Sequence, residues 1–198
     1  RLGGTVALAG CVGEDAFGSA LRQGLADEGI DVQHVDVRGG HPSGVALITV
    51  DERGENSIIV VPGANGRMTV DDVTLAREAI AGAAVLLLQL EVPLPVVRAA
   101  AQLARARGVT VVLNAAPAQA VDDELLALAD YLVVNETEVF ALAGPGVHDR
   151  GGAIAALQAR GARHVVLTLG AAGAILAPHG GDWTSVYAFT VPVVDTTA

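Results

Sequence analysis

From Val70 onward the chain alternates helix-like stretches with short, fully apolar runs, and this pattern restricts the fold more than any other feature. The spacing predicts a helix over 70–81, a strand over 85–90, a helix over 93–107 with proline in its first turn, and a strand over 109–114. Tyr131 to Val134 reads as a strand, followed by a helix opening at Asn135. Gly151 to Arg160 reads as a helix, and 164–169, 173–177 and 191–194 as further strands. Apolar strands that alternate with helices belong to a parallel sheet covered on both faces. The expected class is therefore α/β with a mostly parallel central sheet.

The first third departs from that alternation. Thr5 to Cys11 reads as a buried strand, and Asp15 to Glu28 as a helix with Phe17, Leu21 and Leu25 on one face and Gly29 as its cap. Val32 to Val37 is a further strand. The runs 44–50 and 57–62 flank the turn-rich Asp51-Glu52-Arg53-Gly54 and predict a β-hairpin. A hairpin fits a helix-covered parallel sheet poorly, so it is expected to stand apart as a flap or lid over about residues 43–63. At 198 residues the chain is expected to form one domain, and its ends read as cuts rather than as natural termini.

Composition removes several functions. A chain that is 52% hydrophobic with mean hydropathy +0.48 buries a core and is not intrinsically disordered. The net charge of −10 argues against a protein that tracks nucleic-acid phosphates. All twelve basic residues are arginine, which excludes a lysine-bearing P-loop, a protein-kinase lysine and a pyridoxal Schiff base within this chain. Phosphate would have to be met by backbone N–H groups, helix N-termini, arginine or metal. Cys11 is the single cysteine and reads as a small buried hydrophobe. No run spans a bilayer and no signal peptide is visible, so the cytoplasm is the expected compartment.

Ligands of open α/β sheets bind beyond the carboxyl ends of the strands. The candidates are therefore Gln89-Leu90-Glu91, Asn114 to Ala118, Asn135-Glu136-Thr137-Glu138, Thr168-Leu169-Gly170 and Asp195-Thr196-Thr197. Glu91 is either a solvated loop acid or an acceptor for polyol hydroxyls. Asn135 and Glu138 have the spacing of a helix capping box, which explains them structurally. They also suit phosphate contact and a water-mediated Mg²⁺, since magnesium keeps its waters and takes few carboxylates. The Thr168–Gly173 segment is either a nucleotide loop or a tight connection. Gly10, Gly13 and Gly18 do not have dinucleotide-binding spacing, and the five histidines show no paired metal spacing.

In this order the motifs resemble the ribokinase (PfkB) family of carbohydrate kinases. The matching pieces include Cys11-Val12-Gly13-Glu14-Asp15-Ala16-Phe17-Gly18, Ser43-Gly44-Val45-Ala46-Leu47-Ile48, Gly63-Ala64-Asn65 and Gln89-Leu90-Glu91. They continue with Asn114-Ala115-Ala116-Pro117-Ala118, Asn135-Glu136-Thr137-Glu138, Thr168-Leu169-Gly170 and Val194-Asp195-Thr196-Thr197-Ala198. The resemblance implies a three-layer αβα sandwich and ATP-dependent phosphorylation of D-ribose at O5. Sibling substrates (fructose, a keto-deoxy sugar acid or a nucleoside) and a non-catalytic sugar- or nucleotide-binding regulator remain as alternatives.

The same resemblance implies that Glu91 contacts the sugar, and that Asn135, Thr168, Gly170, Ala171, Ala172 and Gly173 contact the nucleotide. Glu138 would organise Mg²⁺ through water, and Asp195 with Thr197 would begin a K⁺ site. The hairpin would cover the sugar and join two copies as a homodimer. The family's upstream sugar motif precedes Arg1, and its catalytic base is expected just beyond Ala198, so this stretch alone is expected to be inactive. Ala115 departs from the family's usual proline, and Gly66 stands where alanine is common.

Overall fold

A computed structural model describes residues 3–50 and 56–190. The chain divides into two compact units, one within Arg1–Ala79 and Glu91–Val96, the other within Ile80–Leu90 and Val97–Val193.

In the first unit, β1 (Ala7–Gly13) and β2 (Asp31–Arg38) pair in parallel and are joined by α1 (Ala16–Asp27). Asp15 caps α1 by accepting from the Gly18 N–H, and Gly29 with φ +78° ends it. The predicted apolar stripe of α1 is not its buried face, because Phe17 and Leu21 are exposed while Gly18 is buried. The reason lies in the approach to β1. A Cβ on Gly18 would sit 2.2 Å from the Gly13 carbonyl oxygen, so the helix packs where it has no side chain.

The hairpin forms as predicted: β3 (Val45–Val50) and β4 (Asn56–Val61) are antiparallel, with Val45 opposite Val61 and Val50 opposite Asn56. Its turn, 51–55, lies outside the described residues. A 3₁₀ helix over Gly63–Arg67 follows. The predicted helix over 70–81 divides into α2 (Val70–Leu75) and α3 (Arg77–Ala81), with Ala76 as the C-cap of α2.

The second unit holds a six-stranded sheet. Its strands are β5 (Val85–Leu88), β6 (Thr110–Asn114), β7 (Tyr131–Asn135), β8 (His164–Thr168), β9 (Ala174–Pro178) and β10 (Thr184–Val186). In the order 10-9-8-7-6-5, strands β5 to β8 are parallel, while β9 and β10 are added antiparallel. The crossovers carry α4 (Leu94–Ala106), α5 (Asp123–Leu128), α6 (Glu136–Ala143) and α7 (Arg150–Ala159). Leu113, Leu132, Val134, Leu167, Ile154 and Leu157 are fully buried and form the centre of the core.

Two elements were not predicted, α5 and β10. Helix α5 is six residues long, capped by Asp122, and buries Leu125 and Leu126. It is anchored by Arg160, whose guanidinium donates to Asp123 Oδ1 (2.7 Å), the Leu142 carbonyl (2.7 Å) and the Val121 carbonyl (2.6 Å). The expected strand 191–194 lies outside the described residues. No described helix is long and apolar enough to cross a membrane.

Candidate functional site

Because β5 to β8 are parallel, their carboxyl ends share one sheet edge, and Asn114, Asn135 and Thr168 close three of them. Asn135 is directly opposite Thr168 in the β7–β8 register. At Asn135 the chain turns into α6, and both hydrogen bonds of the capping box form. The Asn135 side chain accepts from the Glu138 N–H at 2.8 Å, and Glu138 Oε2 accepts from the Asn135 N–H at 2.8 Å. Glu138 is buried, yet only one of its oxygens is used in this way. Neither Glu138 Oε1 nor Asn135 Nδ2 has a hydrogen-bond partner among the described residues.

Thr168 Oγ1 donates to the Val134 carbonyl at 3.3 Å, tying the ends of β7 and β8 together. The next residues make a 3₁₀ turn, Gly170–Ala172, closed by the Leu169 N–H donating to the Gly173 carbonyl at 2.8 Å. Two glycines are needed here for different reasons. Gly170 has φ +56° and open space around it, so its backbone angle alone demands glycine. Gly173 has φ +97°, and a Cβ would also fall 2.0 Å from the Val186 carbonyl oxygen. The tight-connection reading is thus realised at Gly173, while Gly170, Ala171 and Ala172 remain exposed.

After β6, Ala115 is fully buried and its N–H donates to the Val133 carbonyl at 2.9 Å. The Ala116 carbonyl accepts from Leu90, and Gln119 Nε2 donates to the Leu90 carbonyl at 2.7 Å. The 114–118 loop therefore fixes the chain where it leaves β5. Glu91, the next residue, is exposed and falls within the first unit. Asp195 and Thr197 lie outside the described residues.

In the first unit the structure supplies a reason for three motifs that sequence matching left unexplained. Asp15 Oδ2 accepts from the Ser43 N–H (2.8 Å) and Oδ1 from its hydroxyl (2.6 Å), while Ser43 Oγ accepts from the Gly13 N–H (3.0 Å). These bonds from Ser43 hold the Asp15 carboxyl below its ordinary range. A Cβ on Gly13 would strike the backbone at residues 41–43, and Asn65 Oδ1 accepts from the Cys11 N–H at 2.9 Å. The knot thus binds the end of β1, the start of α1 and the root of the hairpin. Its partners lie 28 to 54 residues apart, beyond the reach of any spacing rule.

Cys11, Asp36 and Asp72 also converge, but Arg38 already supplies the cation, pairing with Asp36 at 3.1 Å and closely with Asp72. Burial raises the Cys11 thiol, in keeping with its expected role as a buried hydrophobe.

A family model described as pfkB family carbohydrate kinase matches residues 1–198. The chain belongs to the pfkB family. It is 40% identical over 201 residues to a ribokinase of Haemophilus influenzae, covering 100% of this chain and 65% of that protein. A Schizosaccharomyces pombe ribokinase is 38% identical over 199 residues, covering 98% of this chain and 63% of its own. Arabidopsis thaliana ribokinase, solved with ribose and ATP, superposes with a TM-score of 0.85 at 30% identity, over 98% of this chain and 64% of that one. The pfkB chain thus spans slightly less than two thirds of these relatives and has the ribokinase-like α/β fold with a mostly parallel sheet.

Proposed function

We propose that the protein carrying this chain is an ATP-dependent sugar kinase that transfers the terminal phosphoryl group of ATP to O5 of D-ribose. The observation that carries this reading is the 40% identity to a ribokinase along the whole chain. The edge residues support it, because each has bonding capacity left after its structural role. Asn135 caps α6 through its oxygen, which leaves the amide N–H groups for phosphate oxygens at a helix N-terminus. Thr168 donates its proton to Val134, so its oxygen is available to accept from a nucleotide hydroxyl. The exposed Gly170–Ala172 turn presents backbone without bulky side chains, in line with a chain that has no lysine for phosphate.

Glu138 fits a water-mediated Mg²⁺, since one oxygen is locked by the helix cap and the other has no protein partner among the described residues. A bound Mg²⁺ would neutralise charge on the phosphates. Glu91 would accept hydrogen bonds from the sugar, and the proton of O5 would pass to a base beyond Ala198. Asp195 and Thr197 would hold an activating K⁺. The β3–β4 hairpin would close over the sugar and pair two copies of the protein, and the cytoplasm would be its compartment.

The test is ADP release by the full-length protein with Mg²⁺ and K⁺, across ribose, 2-deoxyribose, fructose and nucleosides. Turnover selective for ribose is expected, with a lower rate when Na⁺ replaces K⁺. Selectivity for another sugar would reassign the substrate, and a folded protein inert towards all of them would make it a regulator. Glu91→Ala should raise KM for ribose with kcat little changed, and an unaltered KM would remove Glu91 from the sugar site.

A further inference from the structure

At the amino-terminal edge of the second unit's sheet, opposite the edge that carries Asn135 and Thr168, lies a cavity of about 410 Å³. Arg105 from the last turn of α4, Gly108, Thr110, Asp130, Tyr131 and His164 line it, and this volume lies within the range of small-molecule sites.

Its electrostatics run against those of the whole chain. The net charge is −10, yet Asp130 is the single carboxylate of the lining. That carboxylate is already consumed: Oδ1 accepts from both Arg105 (2.7 Å) and Arg163 (3.2 Å), and Oδ2 accepts from the Val111 N–H (2.9 Å). Each guanidinium has five N–H donors and spends one on Asp130, so eight remain without a protein acceptor among the described residues. His164 stacks against Tyr131 with ring centroids 4.9 Å apart, and neither ring has a polar partner among the described residues. The Arg163 carbonyl accepts from the His179 N–H at 2.7 Å, which brings a second histidine to the same edge. Around Asp130 the donors thus exceed the acceptors, next to a cavity that has an aromatic wall and is larger than one phosphate group.

We propose that this cavity binds a small phosphorylated anion through Arg105 in its wall and through Arg163, which is not part of the lining but meets the same Asp130 carboxylate, with the Tyr131–His164 pair flanking whatever the phosphate is attached to. Paired guanidiniums are suited to phosphate oxygens, and a charge-assisted hydrogen bond is about twice as strong as a neutral one. The site uses none of the residues assigned to the kinase reaction, so it stands or falls separately from the proposed activity.

The experiment is a titration of full-length, histidine-labelled protein at constant ionic strength, following the His164 ring resonances by NMR. Inorganic phosphate and ribose 5-phosphate are the probes, and sodium chloride is the control. Saturable shifts with the phosphorylated probes and none with chloride are expected. Tighter binding of the ester would assign an organic phosphate, and equal binding would assign free phosphate. Arg163→Gln, which removes one exposed guanidinium, should weaken binding about tenfold, the scale of one charge-assisted bond. The charge-matched Arg77→Gln should leave it unchanged. Absence of saturation, an identical response to chloride, or equal losses in the two variants would each overturn the assignment. Phosphate bound at the other sheet edge leaves the His164 resonances unmoved, so the readout separates the two sites.

Discussion

Glu138 can close a capping box and still face a cation because a carboxylate has two oxygens, and only Oε2 is spent on the Asn135 N–H. The cap therefore leaves Oε1 for the proposed magnesium contact, although the Asn135–Glu138 spacing alone sets the two readings in competition. Glu138→Gln keeps an acceptor for the cap but removes the charge. It should cost less than about 1 kcal/mol of stability, while the Mg²⁺ needed for half-maximal rate rises roughly 10- to 100-fold. Initial rates against Mg²⁺ concentration check this, and an unchanged midpoint would return Glu138 to a purely structural role. Asp15 presents the opposite case, a residue whose importance no local spacing reveals. Its folded-state pKa is lowered, first by the Ser43 hydroxyl bond, so its stabilisation is complete above the ordinary value of 3.8 and is lost as pH falls below it. The stability gap between wild type and Asp15→Asn should be constant from neutral pH to about pH 5 and shrink at more acid pH. Urea unfolding across that range measures it, and a gap that widens in acid would mean the carboxylate is not the stabilising form.

At the scale of elements, periodicity located most of what it could reach. It places the strands that become β6, β7 and β8 because each is a short, continuous apolar run between helix-like stretches, and it places α6 because its cap lies within four residues. It misses α5 and β10, which have only six and three residues; α5 is held by the distant Arg160, and β10 by pairing with Ala174 to Leu176 of the preceding strand. It also misjudges the contact face of α1, since packing there is set by a glycine approach and not by the apolar stripe. Two glycines of that helix separate packing from propensity. Gly18→Ala places a Cβ 2.2 Å from a backbone oxygen and should destabilise the protein by about 1–3 kcal/mol or more. Gly24→Ala meets nothing within 4 Å and should stabilise it by about 0.5–1 kcal/mol. Chemical denaturation of the two variants tests the pair, and similar effects of the two would mean α1 does not approach β1 as closely as the glycine implies.

Across the whole molecule the two sheet types differ in what protects them. Strands β6, β7 and β8 each keep alternate residues fully buried, whereas every side chain of β3 is exposed and the apolar residues of β4 are between 45% and 63% exposed. A two-stranded hairpin with so little burial is marginal alone, so its backbone amides should open far more often than those of the six-stranded sheet. In hydrogen exchange on the full-length protein, β6 to β8 should be the slowest segments and β3–β4 the fastest strands. If the hairpin is the lid of a sugar kinase, adding ribose with a non-hydrolysable ATP analogue must bury part of that apolar surface. Exchange in 45–50 and 56–61 should then slow by at least about tenfold, the response expected of a segment drawn from the low-stability end of the fold. Equal exchange with and without both ligands would deny the hairpin a closing role. Slowing that depends on protein concentration alone would assign its apolar surface to pairing between two copies and not to covering the sugar.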